Sequence, residues 1–253
     1  MSFIAPQWPA PKSVKTLVST RNGGVSQKPF DSLNLGDHVG DQLTDVLANR
    51  AIFADKLATE PLWLRQTHST IVSTPQSRLA SQAEPITADA SVTNNPDEVL
   101  VIMTADCLPV LFTNSSGTVV GAAHAGWRGL CAGILENTVA QLLILADNKN
   151  PDDLMAWLGT AIGPEAFEVG EDVVSAFAGS GTAVPVNSFM AIPNKPGKYL
   201  ADIYQLAKGR LEACGIQSIS GGQYCTVRDQ AQFFSYRRDG QTGRFASAIW
   251  MSK

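Results

Sequence analysis

Apolar residues recur along the chain at two spacings, and these spacings predict both helices and strands. Apolar positions three and four residues apart predict helices over residues 41–57, 129–146 and 200–214. Short apolar runs predict strands over residues 16–19, 61–66, 99–104, 109–113 and 118–123, followed by a strand-rich end over residues 223–251. The run over 99–104 is almost continuously apolar, which is typical of a strand buried on both faces.

These elements predict a fold of the α+β class. Strands and helices are mixed without the regular strand–helix–strand repeat of a parallel sheet. No segment rich in Pro, Gly or Ser divides the chain. We therefore expect a single domain over residues 1–253, built of mixed β-sheets flanked by helices, with an irregular N-terminal stretch over residues 1–15.

Composition and charge narrow the possible partners. The 253 residues are 44% hydrophobic and 17% charged, which favours a globular chain with a sizeable core. The net charge is −4. Proteins that bind nucleic acid normally carry a basic face, so we do not expect nucleic acid as a partner.

The chain also lacks signals for secretion or membrane insertion. Residues 1–6 show no basic region followed by an apolar run, and no stretch approaches the roughly 20 apolar residues of a membrane span. The four cysteines lie at wide, irregular spacing, which does not predict a disulfide framework. We expect a cytoplasmic protein with no membrane partner and with thiols free to bind metal. The oligomeric state cannot be inferred from the sequence.

Candidate metal ligands follow the predicted strands. The chain has three histidines, and His68, His124 and Cys107 all lie near predicted strand ends. If residues 114–117 form a hairpin with a two-residue turn, Cys107 lies directly opposite His124, with Cβ atoms about 5 Å apart. This separation suits two ligands of a tetrahedral zinc ion. Pro109 cannot donate to the ladder, so it can shift the register.

With His68 from a neighbouring strand, the predicted site has three protein ligands. Three ligands leave the fourth position of zinc open, which is typical of a catalytic site and not of a structural one. Spacing alone leaves an alternative open, in which hydrogen-bonded core histidines lie near an inert buried thiol.

Two segments carry candidate anion-binding residues. Residues 125–129 join His124 to a predicted helix, and a helix N-terminus together with Arg128 can bind phosphate. Arg237 and Arg238 lie beside aromatic residues, so they can hold phosphate or sugar oxygens while a ring stacks on a base. Ordinary strand–helix packing and a solvated strand edge are the corresponding structural alternatives.

Seven motifs, taken in order, resemble the YfiH family, also called the laccase-domain or polyphenol-oxidase-like family. They are SLNLG (32–36), QTH (66–68), TADCLPV (104–110), HAGWRG (124–129), AIGP (161–164), FEVG (167–170) and FFSYRR (233–238). The resemblance extends over residues 20–250, nearly the whole chain.

The resemblance implies a four-layer α/β/β/α fold with zinc on the residues that match His68, Cys107 and His124. It also implies phosphorolysis of adenosine, inosine and S-methyl-5'-thioadenosine, with adenosine deamination as a second reaction. Purine nucleosides and phosphate are then the expected partners, and Asn34 in the first motif is an expected substrate contact. Ser69 and Thr160 depart from the family pattern, but neither is a proposed ligand.

The family's laccase label does not fit this chain. A multicopper laccase needs a mononuclear copper and a trinuclear cluster, which demand more imidazoles than three histidines supply. Cu²⁺ often outcompetes Zn²⁺ for nitrogen and sulfur ligands, so copper can occupy the same site in vitro. We reject the multicopper laccase assignment.

The candidate catalytic residues are Cys107, Asp106 and His38. Zinc deaminases use a Glu as proton carrier, and because none stands beside these ligands in sequence, Asp106 or His38 would take that role. One rival hypothesis is a metal-free hydrolase or deamidase in which Cys107 is the nucleophile and His124 the base. A second rival is a nucleoside-binding protein without turnover.

Overall fold

Two β-sheets pack face to face, and helices cover their outer surfaces. The structure is a computed structural model that describes residues 2–81 and 85–252. A four-stranded sheet has the order β1-β2-β15-β7, and a six-stranded sheet has the order β14-β10-β8-β9-β6-β4. Smaller sheets have the orders β11-β13-β12 and β3-β5.

The described strands are β1 (Phe3–Ile4), β2 (Val14–Ser19), β3 (Leu64–Arg65), β4 (Val72–Ser73), β5 (Ile86–Thr87), β6 (Ala90–Thr93), β7 (Leu100–Thr104), β8 (Leu108–Asn114), β9 (Val120–Ala125), β10 (Leu154–Leu158), β11 (Glu168–Gly170), β12 (Phe189–Ala191), β13 (Lys198–Ala201), β14 (Ser218–Gly221) and β15 (Phe245–Met251). The described helices are α1 (Leu43–Ala54), α2 (Pro75–Ala80), α3 (Trp127–Ala132), α4 (Ile134–Leu145), α5 (Glu171–Ala178), α6 (Ile203–Ala213) and α7 (Tyr236–Asp239).

Strand alternation explains the four layers. In β7, Leu100 and Ile102 pack into the core between the two large sheets. Val101 and Met103 point the other way and pack in the cluster that contains Phe53 of α1. The outer face of the six-stranded sheet packs against α4 and α6 in a third cluster. Because strands such as β7 are covered on both faces, their sequences are apolar without interruption.

The predicted α+β class with mixed sheets and flanking helices is confirmed, and several boundaries differ. The predicted helix over residues 129–146 is two helices, α3 and α4, because Gly133 has a φ of 103°, a conformation that ends a helix. The predicted strand-rich end over 223–251 contains one strand, β15, and the short helix α7. Phe233 and Phe234 fill the core from a loop of this segment, so the aromatic composition there resembles that of a strand.

The N-terminal segment is more regular than its prolines suggest. Phe3 and Ile4 of β1 pair antiparallel with Ser19 and Val18 of β2. The stretch over residues 1–15 is therefore not wholly irregular. The sequence prediction missed β1 because a two-residue strand is too short to show alternation of apolar and polar residues. Within the described ranges, none of the helices is both long and apolar enough to span a membrane.

The hairpin of β8 and β9 is shifted by two residues from the predicted register. Pro109 lies opposite His124, and Thr113 lies opposite Val120. The prediction of Cys107 opposite His124 is wrong because the turn is longer than two residues. Gly117 has a φ of 66° and its N–H donates to the Asn114 carbonyl over 3.0 Å. Cys107 consequently lies in the loop just before β8.

Candidate metal centre

A cavity of about 1290 Å³ is lined by residues of both large sheets and of the loops around them. Its wall includes Met103 of β7 and His124 of β9, together with His68 and Cys107 from loops. The structure therefore brings the three predicted ligands to one cavity, although they lie far apart in the sequence.

His124 is fixed by Asp89, the residue directly before β6. The residue is 4% exposed and lies in β9 between β6 and β8. Its Nδ1 lies 2.9 Å from Oδ1 of Asp89, and its backbone N–H donates to the Asp89 carbonyl over 2.7 Å. Because Asp89 occupies Nδ1, Nε2 is the nitrogen that remains to bind a ligand.

Asp89 also shapes the loop that carries His68. Its carboxylate is fully buried and accepts the backbone N–H groups of Thr67, His68 and Ser69 over 2.7–3.1 Å. These bonds hold His68 at a φ of 63°, a conformation that is uncommon for a residue other than glycine. Burial raises the pKa of Asp89, but hydrogen bonds from His124 and Ser69 outweigh it and hold the pKa below its usual range.

Cys107 is held by the residue before it. Asp106 has a φ of 94°, and its carboxylate accepts the Thr226 hydroxyl over 2.5 Å and the Arg237 backbone N–H over 2.6 Å. These bonds tie the loop before β8 to the start of α7. The Cys107 Sγ then lies 3.6 Å from Nε2 of His68.

The geometry of the three side chains fits a single metal ion. One ligand atom from each of His68, Cys107 and His124 lies within 4.8 Å of the others. The two imidazole rings have centroids 4.7 Å apart and meet edge to face. On a tetrahedral zinc ion, a sulfur and a nitrogen ligand are separated by about 3.5 Å, close to the separation of Cys107 and His68.

Gly126 leaves the space that this cluster needs. A Cβ at this position would lie 2.6 Å from Cδ2 of His68 and 3.0 Å from Sγ of Cys107. Its φ of −63° is open to any residue, so the need for glycine is steric and not conformational. The backbone after His124 therefore forms one wall of the cluster.

The cluster also favours the Cys107 thiolate. Burial raises the pKa of the Cys107 thiol, but the positive charge of His124 and hydrogen bonds from both histidines lower it to about 6. In turn, burial lowers the pKa of His124, and the Cys107 thiolate and Asp89 raise it overall. A thiolate is the form that binds metals and attacks electrophiles.

The other predicted site residues occupy different positions. Arg128 and Arg237 line the cavity, as do Asp106 and His38. The His38 side chain is exposed beside Asp37, 3.4 Å from its Oδ1. Arg128 stacks on Trp127, with its guanidinium carbon 4.4 Å from the ring centroid.

Asn34 and Arg238 make internal contacts instead. Asn34 is fully buried, and its amide bonds with Gly36 and with the Arg244 backbone N–H. Arg238 donates to the carbonyls of Thr226, Val227 and Phe233. Neither side chain is among those that line the cavity.

Sequence reasoning missed Asp89 and Arg244, which belong to the surroundings of the cluster. Asp89 lies between Ala88 and Ala90 in a segment of buried small residues. A single acidic residue in such a segment indicates a structural role, because a buried carboxylate requires several hydrogen-bond partners. Arg244 lines the cavity, but no spacing in the sequence links it to His68 or Cys107.

Comparisons with known proteins agree with this architecture. The family described as Multi-copper polyphenol oxidoreductase laccase matches residues 15–252. Purine nucleoside phosphorylase YfiH of Escherichia coli (strain K12) is 52% identical over 254 residues and is matched over 98% of both chains. Purine nucleoside phosphorylase of Haemophilus influenzae is 48% identical over 252 residues, with 99% of both chains covered.

Solved structures share the fold. Neisseria meningitidis protein NMB0706 is 46% identical and superposes with a TM-score of 0.90 over 100% of both chains. Bacillus licheniformis hypothetical protein YfiH is 32% identical, with a TM-score of 0.86 over 94% of this chain and 93% of that one. The chain therefore belongs to the multi-copper polyphenol oxidoreductase laccase family, which is the YfiH family that its motifs resemble.

Replacing Gly126 tests whether the three side chains bind a metal. We expect Gly126→Ala to lower the affinity for Zn²⁺ about 10- to 100-fold, because the added methyl group displaces His68 and Cys107. Competition with a chromophoric chelator measures the affinity. Gly179→Ala is the matched control, since a Cβ there has its nearest contact at 3.5 Å. An unchanged affinity in Gly126→Ala would contradict a shared metal site.

The thiol of Cys107 should react at lower pH than the other thiols in metal-free protein. We expect its iodoacetamide alkylation to lose rate as the pH falls through about 6, where the thiolate is protonated. Burial raises the pKa of Cys131 and, to about 11, that of Cys214, so these two thiols serve as internal controls. Peptide mass spectrometry measures each rate, and His124→Gln should move the Cys107 midpoint upward. A Cys107 midpoint near that of the controls contradicts the charge pairing.

Proposed function

We propose that this protein is a zinc-dependent purine nucleoside phosphorylase that acts on adenosine, inosine and S-methyl-5'-thioadenosine, with adenosine deamination as a second reaction. The observation that carries the proposal is the cluster of His68, Cys107 and His124 on the wall of a large cavity. The names of the similar proteins in E. coli and H. influenzae support the phosphorylase assignment.

Zinc is the metal that the donor set favours. Two imidazole nitrogens and a thiolate are typical ligands of catalytic zinc, which keeps one position for substrate or water. Asp89 strengthens the case, because a carboxylate on the far nitrogen of a ligating histidine orients the ring. Copper can occupy the same ligands in vitro. The three histidines remain too few for a multicopper oxidase.

The cavity wall offers groups suited to a nucleoside. When bound, zinc supplies a Lewis acid that polarises an oxygen of the substrate. Trp63, Trp127, Phe167 and Tyr236 lie on the cavity wall, and their rings can stack on a purine. The cavity volume of about 1290 Å³ leaves room for a nucleoside and phosphate together.

Arginines of the same wall are suited to phosphate. Arg128 is exposed on the cavity wall and its described contact is with the Trp127 ring, so its donors can reach an anion. Arg237 is a second candidate, with Nη1 donating to the Glu168 carbonyl over 2.8 Å. The contacts of Arg238 support a structural role. The helix α3 that follows Gly126 has only six residues, so we assign phosphate binding to side chains.

We assign the transfer of protons to or from the substrate to His38 or Asp106. His38 has an exposed imidazole on the cavity wall, where it can exchange protons with solvent. Asp106 already accepts two hydrogen bonds, from Thr226 and the backbone of Arg237. His38 is therefore the better candidate for a proton carrier, and Asp106 for holding the loop of Cys107.

A metal-free Cys–His enzyme is the second candidate function. Cys107 with its lowered pKa, His124 and Asp89 resemble a nucleophile, a base and an orienting carboxylate.

The proposal of a zinc enzyme also includes a cytoplasmic location, small-molecule partners only, and no nucleic acid or membrane partner. All four cysteines are free thiols, which suits a reducing compartment.

Metal and phosphate dependence separates the candidates. We expect inosine to yield hypoxanthine and ribose 1-phosphate only when both Zn²⁺ and inorganic phosphate are present, because phosphate would replace hypoxanthine at the ribose C1′ and the three ligands would hold the metal as a Lewis acid. Chromatography of metal-quantified, chelator-treated and zinc-reloaded protein measures the products. Full activity after metal removal would favour the Cys–His enzyme, and nucleoside binding without turnover would favour a binding protein.

Removing the charge of Arg128 should weaken phosphate binding. We expect Arg128→Ala to raise the KM for phosphate about 10-fold or more at unchanged zinc content, because a charged donor to phosphate is lost. Steady-state kinetics with phosphate as the varied substrate measure the effect. Arg228→Ala is the control, since Arg228 pairs with Asp229 on the surface. An unchanged phosphate KM would remove Arg128 from the phosphate site.

A further inference from the structure

Arg244 is held by residues 34–36, the segment that contains the predicted substrate contact Asn34. Its backbone N–H donates to Oδ1 of Asn34 over 2.8 Å, and its carbonyl accepts the N–H of Leu35 over 3.0 Å. Asn34 is fully buried and also bonds with the N–H and carbonyl of Gly36. Both backbone polar groups of Arg244 are therefore fixed by residues 34–36.

Gly36 leaves space for the stem of the same arginine. A Cβ at Gly36 would lie 2.8 Å from Cγ and 3.2 Å from Cβ of Arg244. Gly36 is not among the glycines with positive φ, so the close approach of the arginine is what restricts this position. Residues 34–36 thus position both the backbone and the side chain of Arg244.

The charge of Arg244 has no carboxylate partner in the described parts of the chain. Nη1 donates to the carbonyls of Thr242 and Gly243 over 3.0 Å. The residue is half-buried on the cavity wall. Burial lowers the pKa of Arg244, although the negative charges of Cys107 and Asp106 partly offset this effect. A partly desolvated cation without a counter-ion favours binding of an anion.

Two other arginines on the cavity wall are more fully engaged. Nη2 of Arg50 lies 3.2 Å from Oδ2 of Asp37, and the guanidinium of Arg50 stacks on the Trp63 ring. Arg237 donates to the Glu168 carbonyl and lies over Phe167. His68, Cys107 and His124 would hold a divalent metal ion, whose charge would offset that of the Cys107 thiolate near Arg244.

We propose that Arg244 binds inorganic phosphate within the cavity, in addition to Arg128, and that Asn34 and Gly36 are its positioning residues. This inference rests on the proposed phosphorylase function. A guanidinium fork matches two oxygens of phosphate. Asn34 therefore acts on the substrate only through Arg244, which it holds in position.

Arg244→Met tests the proposal, because methionine keeps an apolar stem beside Gly36 and removes the charge. We expect the KM for phosphate to rise about 10- to 100-fold, while the KM for inosine and the zinc content change little. Arg244→Lys should recover part of the loss, since it restores the charge without the fork. Arg228→Met is the matched control outside the cavity.

A binding measurement gives a readout that does not depend on turnover. We expect inorganic phosphate to raise the Tm of the zinc-loaded protein and to raise that of Arg244→Met much less. Gly36→Ala should weaken the phosphate effect in the same direction, because its methyl group displaces the arginine stem. Gly179→Ala is its matched control.

The outcomes separate this inference from the proposed function. If turnover depends on phosphate but Arg244→Met leaves both the phosphate KM and the phosphate-induced rise in Tm unchanged, the inference is overturned. The proposed phosphorylase function is then still supported. A rise in the inosine KM alone also overturns it, since Arg244 would then contact the nucleoside. If the wild-type protein shows no phosphate-dependent turnover, the function fails, and the thermal shifts still decide whether Arg244 binds phosphate. If Arg244→Met does not fold, Arg244→Lys and Gly36→Ala decide the question by the same measurements.

Discussion

The rest of the site depends on the hydrogen bonds of one buried carboxylate, that of Asp89. It accepts three consecutive backbone N–H groups of the His68 loop and also contacts Nδ1 of His124. One side chain therefore fixes both histidines, and the strand pairing of β6 with β9 fixes the carboxylate. Several donors around one buried charge replace its lost hydration, and this stabilises a loop conformation that His68 would otherwise avoid.

The same principle organises the other side of the cavity. Asp106 joins the Cys107 loop to Thr226 and to the start of α7, while Asn34 joins the loop over residues 34–36 to Arg244. Each of these polar side chains bonds to backbone groups distant in the sequence. Two groups that face the cavity, Cys107 and Arg244, are held in this way by Asp106, which also lines the cavity, and by Asn34, which does not.

The family description and the names of the similar proteins point to different reactions. The family description names a laccase, whereas the similar proteins of E. coli and H. influenzae are named phosphorylases. A site with two imidazoles and one thiolate suits one ion. Electron transfer to oxygen through several coppers requires a larger set of ligands, which three histidines do not provide.

The sequence by itself determined the element types with strong periodicity and the three metal-ligand candidates. The helix at α1 and the buried strand at β7 follow from local apolar spacing, which depends only on neighbouring residues. The tertiary structure decided what depends on contacts across the chain. The register of β8 and β9 moved with the length of one turn, and the roles of Asp89 and Arg244 depend on partners brought close only by the packed sheets. Hydrogen bonds and charge pairing act over a few ångströms in space, and sequence distance does not report that separation.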